Sequence, residues 1–186
     1  MKLGVSLELG CWSLEFPSHE LARQNLLSDT LAGLGRKDES AVLRQGIFEK
    51  SLSVYDYQRW RELLPQTSHA MAYDHARKLA LDHSDPSIAA ELLLELDEMH
   101  DAEAKLISMY SAVDGGQYAT LPDIGETLIT KGYLRGATVV YRALLNTILE
   151  RANSSAYGHA ARYWHKLTQI NAAAQTLAPL PSHQRV

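Results

Sequence analysis

The residues best placed to do chemistry lie near the C-terminus, in Ser155-Ala-Tyr157-Gly-His159-Ala-Ala-Arg162-Tyr163. Read as a helix begun by Ser154 or Ser155, this segment sets His159, Arg162 and Lys166 along one edge at spacings of three and four residues. Ala156, Ala160 and Tyr163 fall on a separate apolar stripe. Arginine offers a planar fork of donors and histidine adds another, so the edge suits an acidic peptide or a phosphate. Tyr157, at the head of the same helix, completes the candidate binding set. A structural role competes with this and weighs more heavily: Arg162 pairs with an acid of the preceding hairpin, such as Glu150, and His159 caps or packs.

Other chemistries find less support. A helical metal pair needs His or Glu three or four residues apart. His69, His75 and His83 are six and eight apart, and His159 and His165 are six apart. Asp97/His100 and His100/Glu103 have usable spacing, but a carboxylate-bridged di-metal bundle needs more, so no metal or other cofactor is expected. There is no Gly-x-Ser-x-Gly elbow, and Gly115-Gly116 lacks the lysine of a phosphate-binding loop. The acids Glu91, Glu95, Asp97, Glu98, Asp101 and Glu103 read as one solvated face that attracts a basic partner at most. Tyr55, Tyr57 and Trp60 beside Arg59 and Arg61 allow RNA to stack, although Tyr57, Trp60 and Leu64 read more naturally as a buried stripe.

The elements that position these residues are helical. Leu and Ala supply 52 of the 186 residues against 14 for Val and Ile, a bias toward unbranched side chains that lose little freedom in a helix. A start at Pro17-Ser18 predicts a helix to about Leu34, with Ser18 as its cap. Asp38 caps a second helix carrying Leu43, Ile47 and Phe48, and Ser53 a third that stops at Pro65. Ala72, Ala76 and Leu79 mark a helix over about 68–82, and Asp85-Pro86 opens one with Ile88, Leu92 and Leu96. Ala102, Leu106, Met109 and Val113 extend the next to Gly115-Gly116, and another spans about 117–131 with Pro122 in its first turns. The last two show the clearest three-and-four rhythm: Ala137, Tyr141, Leu144 and Ile148, then Ala156, Tyr163, Leu167, Ile170, Ala174 and Leu177. Residues 1–17 form a poorly defined segment, 18–178 one helical-repeat domain, and 179–186 a loose tail after Pro179 and Pro181.

One helix–turn–helix unit is written twice. Leu31-Ala-Gly-Leu-Gly35 leads to Ser40, and Leu128-Ile-Thr-Lys-Gly132 leads to Ala137. The glycine takes the left-handed conformation that ends a helix, and the small residue five positions later lets the next helix pack back closely. Tetratricopeptide-like arrays are built in this way, and 186 residues hold about four pairs of ~35–45 residues. The predicted fold is all-α: a right-handed superhelical array of eight or nine antiparallel helices in one domain.

From about Ala22 to Ile170 the chain resembles a bacterial helical-repeat family of unknown function, related in build to tetratricopeptide repeats. Leu34-Gly-Arg-Lys-Asp-Glu39, Phe48-Glu-Lys-Ser-Leu-Ser53 and Leu63-Leu-Pro65 carry the resemblance. So, more specifically, do Tyr141-Arg-Ala-Leu-Leu145, Ile148-Leu-Glu-Arg151 and Ala156-Tyr-Gly-His-Ala-Ala-Arg-Tyr163. The resemblance implies an all-α superhelix and supplies no catalytic residues. Some relatives add a zinc-binding module whose cysteines this chain lacks, so its metal and nucleic-acid roles do not carry over.

Charge and cysteine content narrow the class further. A net charge of −4 leaves no basic footprint for DNA. The single Cys11 forms no internal disulfide, and Glu8 interrupts the apolar run that a lipoprotein leader ending at Cys11 would need. No stretch approaches the ~20 apolar residues of a membrane span, so a soluble cytoplasmic protein is expected. Helical arrays work mostly by displaying surfaces, which predicts a non-catalytic scaffold for a protein or peptide partner. The alternatives are a hydrolase or metal-dependent enzyme using the His159/Arg162 edge, and RNA binding through a local basic patch.

Overall fold

The computed structural model describes residues 17–152 and 154–173, all helices and connecting turns. The helices are α1 (Pro17–Gly33), α2 (Lys37–Ser51), α3 (Val54–Leu63), α4 (His69–Asp82), α5 (Pro86–Glu95), α6 (Met99–Ser108), α7 (Leu121–Lys131), α8 (Leu134–Glu150) and α9 (Tyr157–Ala173). Neighbours in sequence pack together; α5 also touches α7, and α6 touches α8, so the α5–α6 and α7–α8 hairpins lie side by side. No helix among the described residues is long and apolar enough to cross a membrane. Cys11, Ala174, Leu177, Pro179 and Pro181 lie outside the described residues.

The repeated turn is a physical object. Gly35 and Gly132 have φ of 77° and 85°. In both, the amide after the glycine donates to the leucine carbonyl five residues back: Arg36 N to Leu31 O at 2.9 Å and Tyr133 N to Leu128 O at 2.8 Å. This is the paired closure that satisfies the last carbonyls of a helix. A third copy carries no glycine. Between α5 and α6, Asp97 takes the left-handed conformation at φ 61°, and Glu98 N donates to Leu93 O at 2.9 Å. The residues five positions beyond the three turns, Ser40, Ala102 and Ala137, are all fully buried where the paired helices meet.

One continuous core follows from these contacts. At the N-terminal end, Phe48 stacks on Trp60 with ring centroids 5.6 Å apart and also meets Tyr57. Arg44 on α2 is 2% exposed and reaches Asn25 and Asp29 on α1, so an ion network fastens this hairpin. Arg44, and after it Arg59, hold the Asp29 carboxyl below its usual range against burial. Farther along, Leu92, Leu106, Leu121, Leu128, Leu144 and Ile148 are buried in one continuous cluster.

Several element ends differ from the sequence expectation. Helix α2 starts at Lys37 after Arg36, so Asp38 lies in the first turn, where its charge still favours the helix dipole, but it is not the cap. Helix α1 begins at Pro17, with Ser18 inside it. Ser53 and Asp85 do cap: Ser53 Oγ accepts from Asp56 N at 3.1 Å, and Asp85 from Ser87 N at 2.8 Å. Helix α6 ends at Ser108, and α7 starts only at Leu121. The reason is the intervening loop, where Gly115 is pressed against α8 and Asp114 accepts from Gly116 N. Val113 is buried there without being helical.

Candidate functional site

Helix α9 packs on α8 through Ala160, Tyr163, Leu167 and Ile170, which are buried. That orientation turns the edge bearing His159, Arg162 and Lys166 toward a groove of about 460 Å³. Ile148 of α8, with Ala156 just before α9 and Tyr163 within it, gives the groove an apolar floor, and Tyr118 of the loop before α7 and Pro122 in its first turn form its far wall. The structure brings together His159, Arg162 and Lys166. Tyr157 sits one turn earlier, half exposed, and does not line the groove.

The three rim residues differ in electrostatic role. The ammonium of Lys166 is paired with Glu126 of α7, which also accepts a 2.6 Å hydrogen bond from the Tyr141 hydroxyl. The same ammonium lies 5.6 Å from the Tyr141 ring centroid. Lys166, followed by Tyr141, holds the Glu126 carboxyl below its usual range, and burial with the neighbouring carboxylate drives the Tyr141 phenol far upward. This cluster is internally neutralised. Arg162 is different: it is exposed, and its Nη2 lies 2.8 Å from Nδ1 of His159. Among the described residues no carboxylate pairs with Arg162, and the ion pair expected with Glu150 is not formed. The groove therefore presents an apolar slot beside a cation that no carboxylate of the described residues neutralises.

Sequence reasoning missed Tyr118, Pro122, Glu126, Tyr141 and Tyr163 as parts of this site, because they come from a loop and three separate helices. One signal was available. Gly125 lies mid-helix in α7, and a Cβ there would stand 2.8 Å from the Tyr141 ring, so the glycine clears the space in which Tyr141 meets Glu126.

The other candidates are dispersed by the fold. The acidic run does not form one face. Glu98 accepts from Tyr73, whose phenol is pushed up to about 12 chiefly by that bond, and it pairs with Arg77 together with Asp101. Glu103 accepts from Gly136 N at 3.0 Å, and Asp97 lies 3.6 Å from Lys131. Glu91 and Glu95 instead line a cleft between α5 and α7 with Asp123. Burial, and then Asp123, raise the Glu91 carboxyl. Tyr57 and Trp60 are buried against Phe48, which removes them as a stacking surface, and Arg59 is paired with Asp29 and Glu62. Among the described residues no three of His, Cys, Asp or Glu cluster in a way that could hold a metal ion.

No curated protein and no solved structure matches this chain. A family model does, over residues 14–185, which takes in every described helix and the whole groove. The chain belongs to that family, DUF6880, a family of unknown function.

Proposed function

We propose that this protein is a non-catalytic binding scaffold, a right-handed tetratricopeptide-like array whose α7–α8–α9 groove takes an acidic segment of a peptide or protein. The array reading is supported by three hairpins closed by the same left-handed turn, after Leu31, Leu93 and Leu128. The binding reading rests on one observation above all: Arg162 stands exposed at the rim of an apolar slot with no carboxylate partner among the described residues. An incoming Asp or Glu supplies that partner through the guanidinium fork, and an adjacent Leu or Phe fills the slot over Ile148 and Tyr163. The Lys166–Glu126–Tyr141 cluster fixes the groove wall and leaves net attraction to Arg162.

The test is a panel of fluorescent decapeptides combining Leu or Phe with Glu, beside matched peptides with Lys in place of Glu. The acidic members bind the wild-type protein, and Arg162→Glu weakens them about tenfold or more while leaving the melting temperature nearly unchanged. A large loss of stability in that variant would make Arg162 a structural residue. Equal binding by wild type and variant would remove the groove as the site.

A further inference from the structure

A second face, remote from this groove, carries a pattern that the single chain does not use. Asp38, Val42, Gly46 and Lys50 follow one another at four-residue intervals on α2, forming one ridge of that helix. All four line a shallow groove of about 590 Å³ shared with Leu27 and Leu31 of α1. The opposite side of α2 buries Ala41, Arg44, Ile47 and Phe48, so this ridge is the outer one. Val42 is 72% exposed on it, and Leu26, Leu27 and Leu34 of the same hairpin are also well exposed. Gly46 is the odd residue. It lies inside a regular helix without positive φ, and a Cβ added there would meet nothing within 4 Å. Glycine weakens a helix interior relative to alanine, and the isolated fold gives no reason for it here.

We propose that this face is a two-fold interface between copies of the chain, with α2 packed antiparallel on α2 of a second copy. The ridge is self-complementary under that symmetry. A two-fold axis at the level of position 44 sets 42 opposite 46 and 38 opposite 50. Each exposed Val42 then enters the space left by Gly46 of the other copy, and each Asp38 meets the other copy's Lys50. A two-fold contact requires one patch to complement itself, and the acid, knob, gap and base in this order do so. Leu27 and Leu31 flank the seam and exclude water from it. Charge order selects the second copy over a foreign helix, because the ridge matches its own reverse.

The experiment is sedimentation equilibrium of the full chain from about 5 to about 500 µM, where an interface of modest size associates. The wild type forms a dimer that loosens with added salt. Asp38→Lys and Lys50→Asp each weaken association by about tenfold or more, since each places like charges opposite one another twice. A one-to-one mixture of these two variants restores the dimer, because every 38–50 pair then joins opposite charges. Val42→Asp abolishes association while circular dichroism shows the fold retained. A wild type that stays monomeric throughout overturns the proposal and gives the groove to another segment or partner. So does a dimer that survives Val42→Asp, or a mixture that fails to re-form.

Discussion

Replacing Glu126 with Gln tests whether the wall of the groove is held as the geometry indicates. The carboxylate has two partners: the Tyr141 hydroxyl at 2.6 Å, on a side chain with no exposed surface, and the ammonium of Lys166. A hydrogen bond to a charged acceptor contributes about 1.5–3 kcal/mol against about 0.5–1.5 for a neutral one, so the amide loses about 1 kcal/mol at Tyr141. The Lys166 pair is one-third to one-half exposed and adds only about 0.5 kcal/mol. The expected cost is about 1.5 kcal/mol, or a fall in melting temperature of about 3–6 °C for a chain of this size. Glu126→Leu should cost about 3 kcal/mol, because it also leaves the buried phenol without an acceptor. In the double variant with Tyr141→Phe, the two changes should couple by about 1 kcal/mol. Because the folded Glu126 carboxyl is held below its unfolded value, its stabilisation is complete above about pH 4.3 and is lost as pH falls through the lower, folded value. Melts of wild type and Glu126→Gln should therefore differ at pH 7 and converge in acid. A gap independent of pH, or no gap at pH 7, refutes the assignment of Glu126 as the charged hub.

Three further outcomes follow from the turns and the loop. Asp97→Gly should stabilise the protein by about 0.5–1 kcal/mol in chemical denaturation, because glycine takes the left-handed conformation at φ 61° without cost while the exposed Lys131 contact contributes little. Gly132→Val should do the reverse, by about 1–2 kcal/mol, since a branched side chain is strained at φ 85°. Gly115→Ala should destabilise by about 3 kcal/mol or more, because its Cβ would lie 2.0 Å from the Ala143 carbonyl oxygen, and that backbone belongs to α8 and does not yield. A melting temperature within a degree or so of wild type for Gly115→Ala would show that the loop does not dock on α8 as described.

Much of the local structure could be read from the chain. The Ser53 and Asp85 caps, the left-handed glycines at 35 and 132, and the buried stripes of α8 and α9 all depend on residues within about five positions of one another. The third turn is not legible in the sequence, because Asp97 does the work of a glycine, aided by an amide–carbonyl bond that composition does not reveal. The α6–α7 connection differs from the helix that its spacing predicts, because Val113 keeps the helical rhythm of Leu106 while being buried for a different reason, the docking of its loop on α8.

The helical class, the ends of many of the helices and the shared edge of His159, Arg162 and Lys166 are all legible in the chain, because they depend on periodicity and on chemistry local to one turn. What that edge faces is set by helix packing. Packing brings Tyr118, Pro122 and Ile148 together as the groove, pairs Lys166 with Glu126, and leaves Arg162 without an acid among the described residues. Packing also scatters one run of acids among an Arg77 network, the α5–α7 cleft, the start of α8 and Lys131. Charge pairing between helices depends on crossing geometry and on side chains dozens of residues apart, and the three-and-four spacing of a single helix carries no information about either.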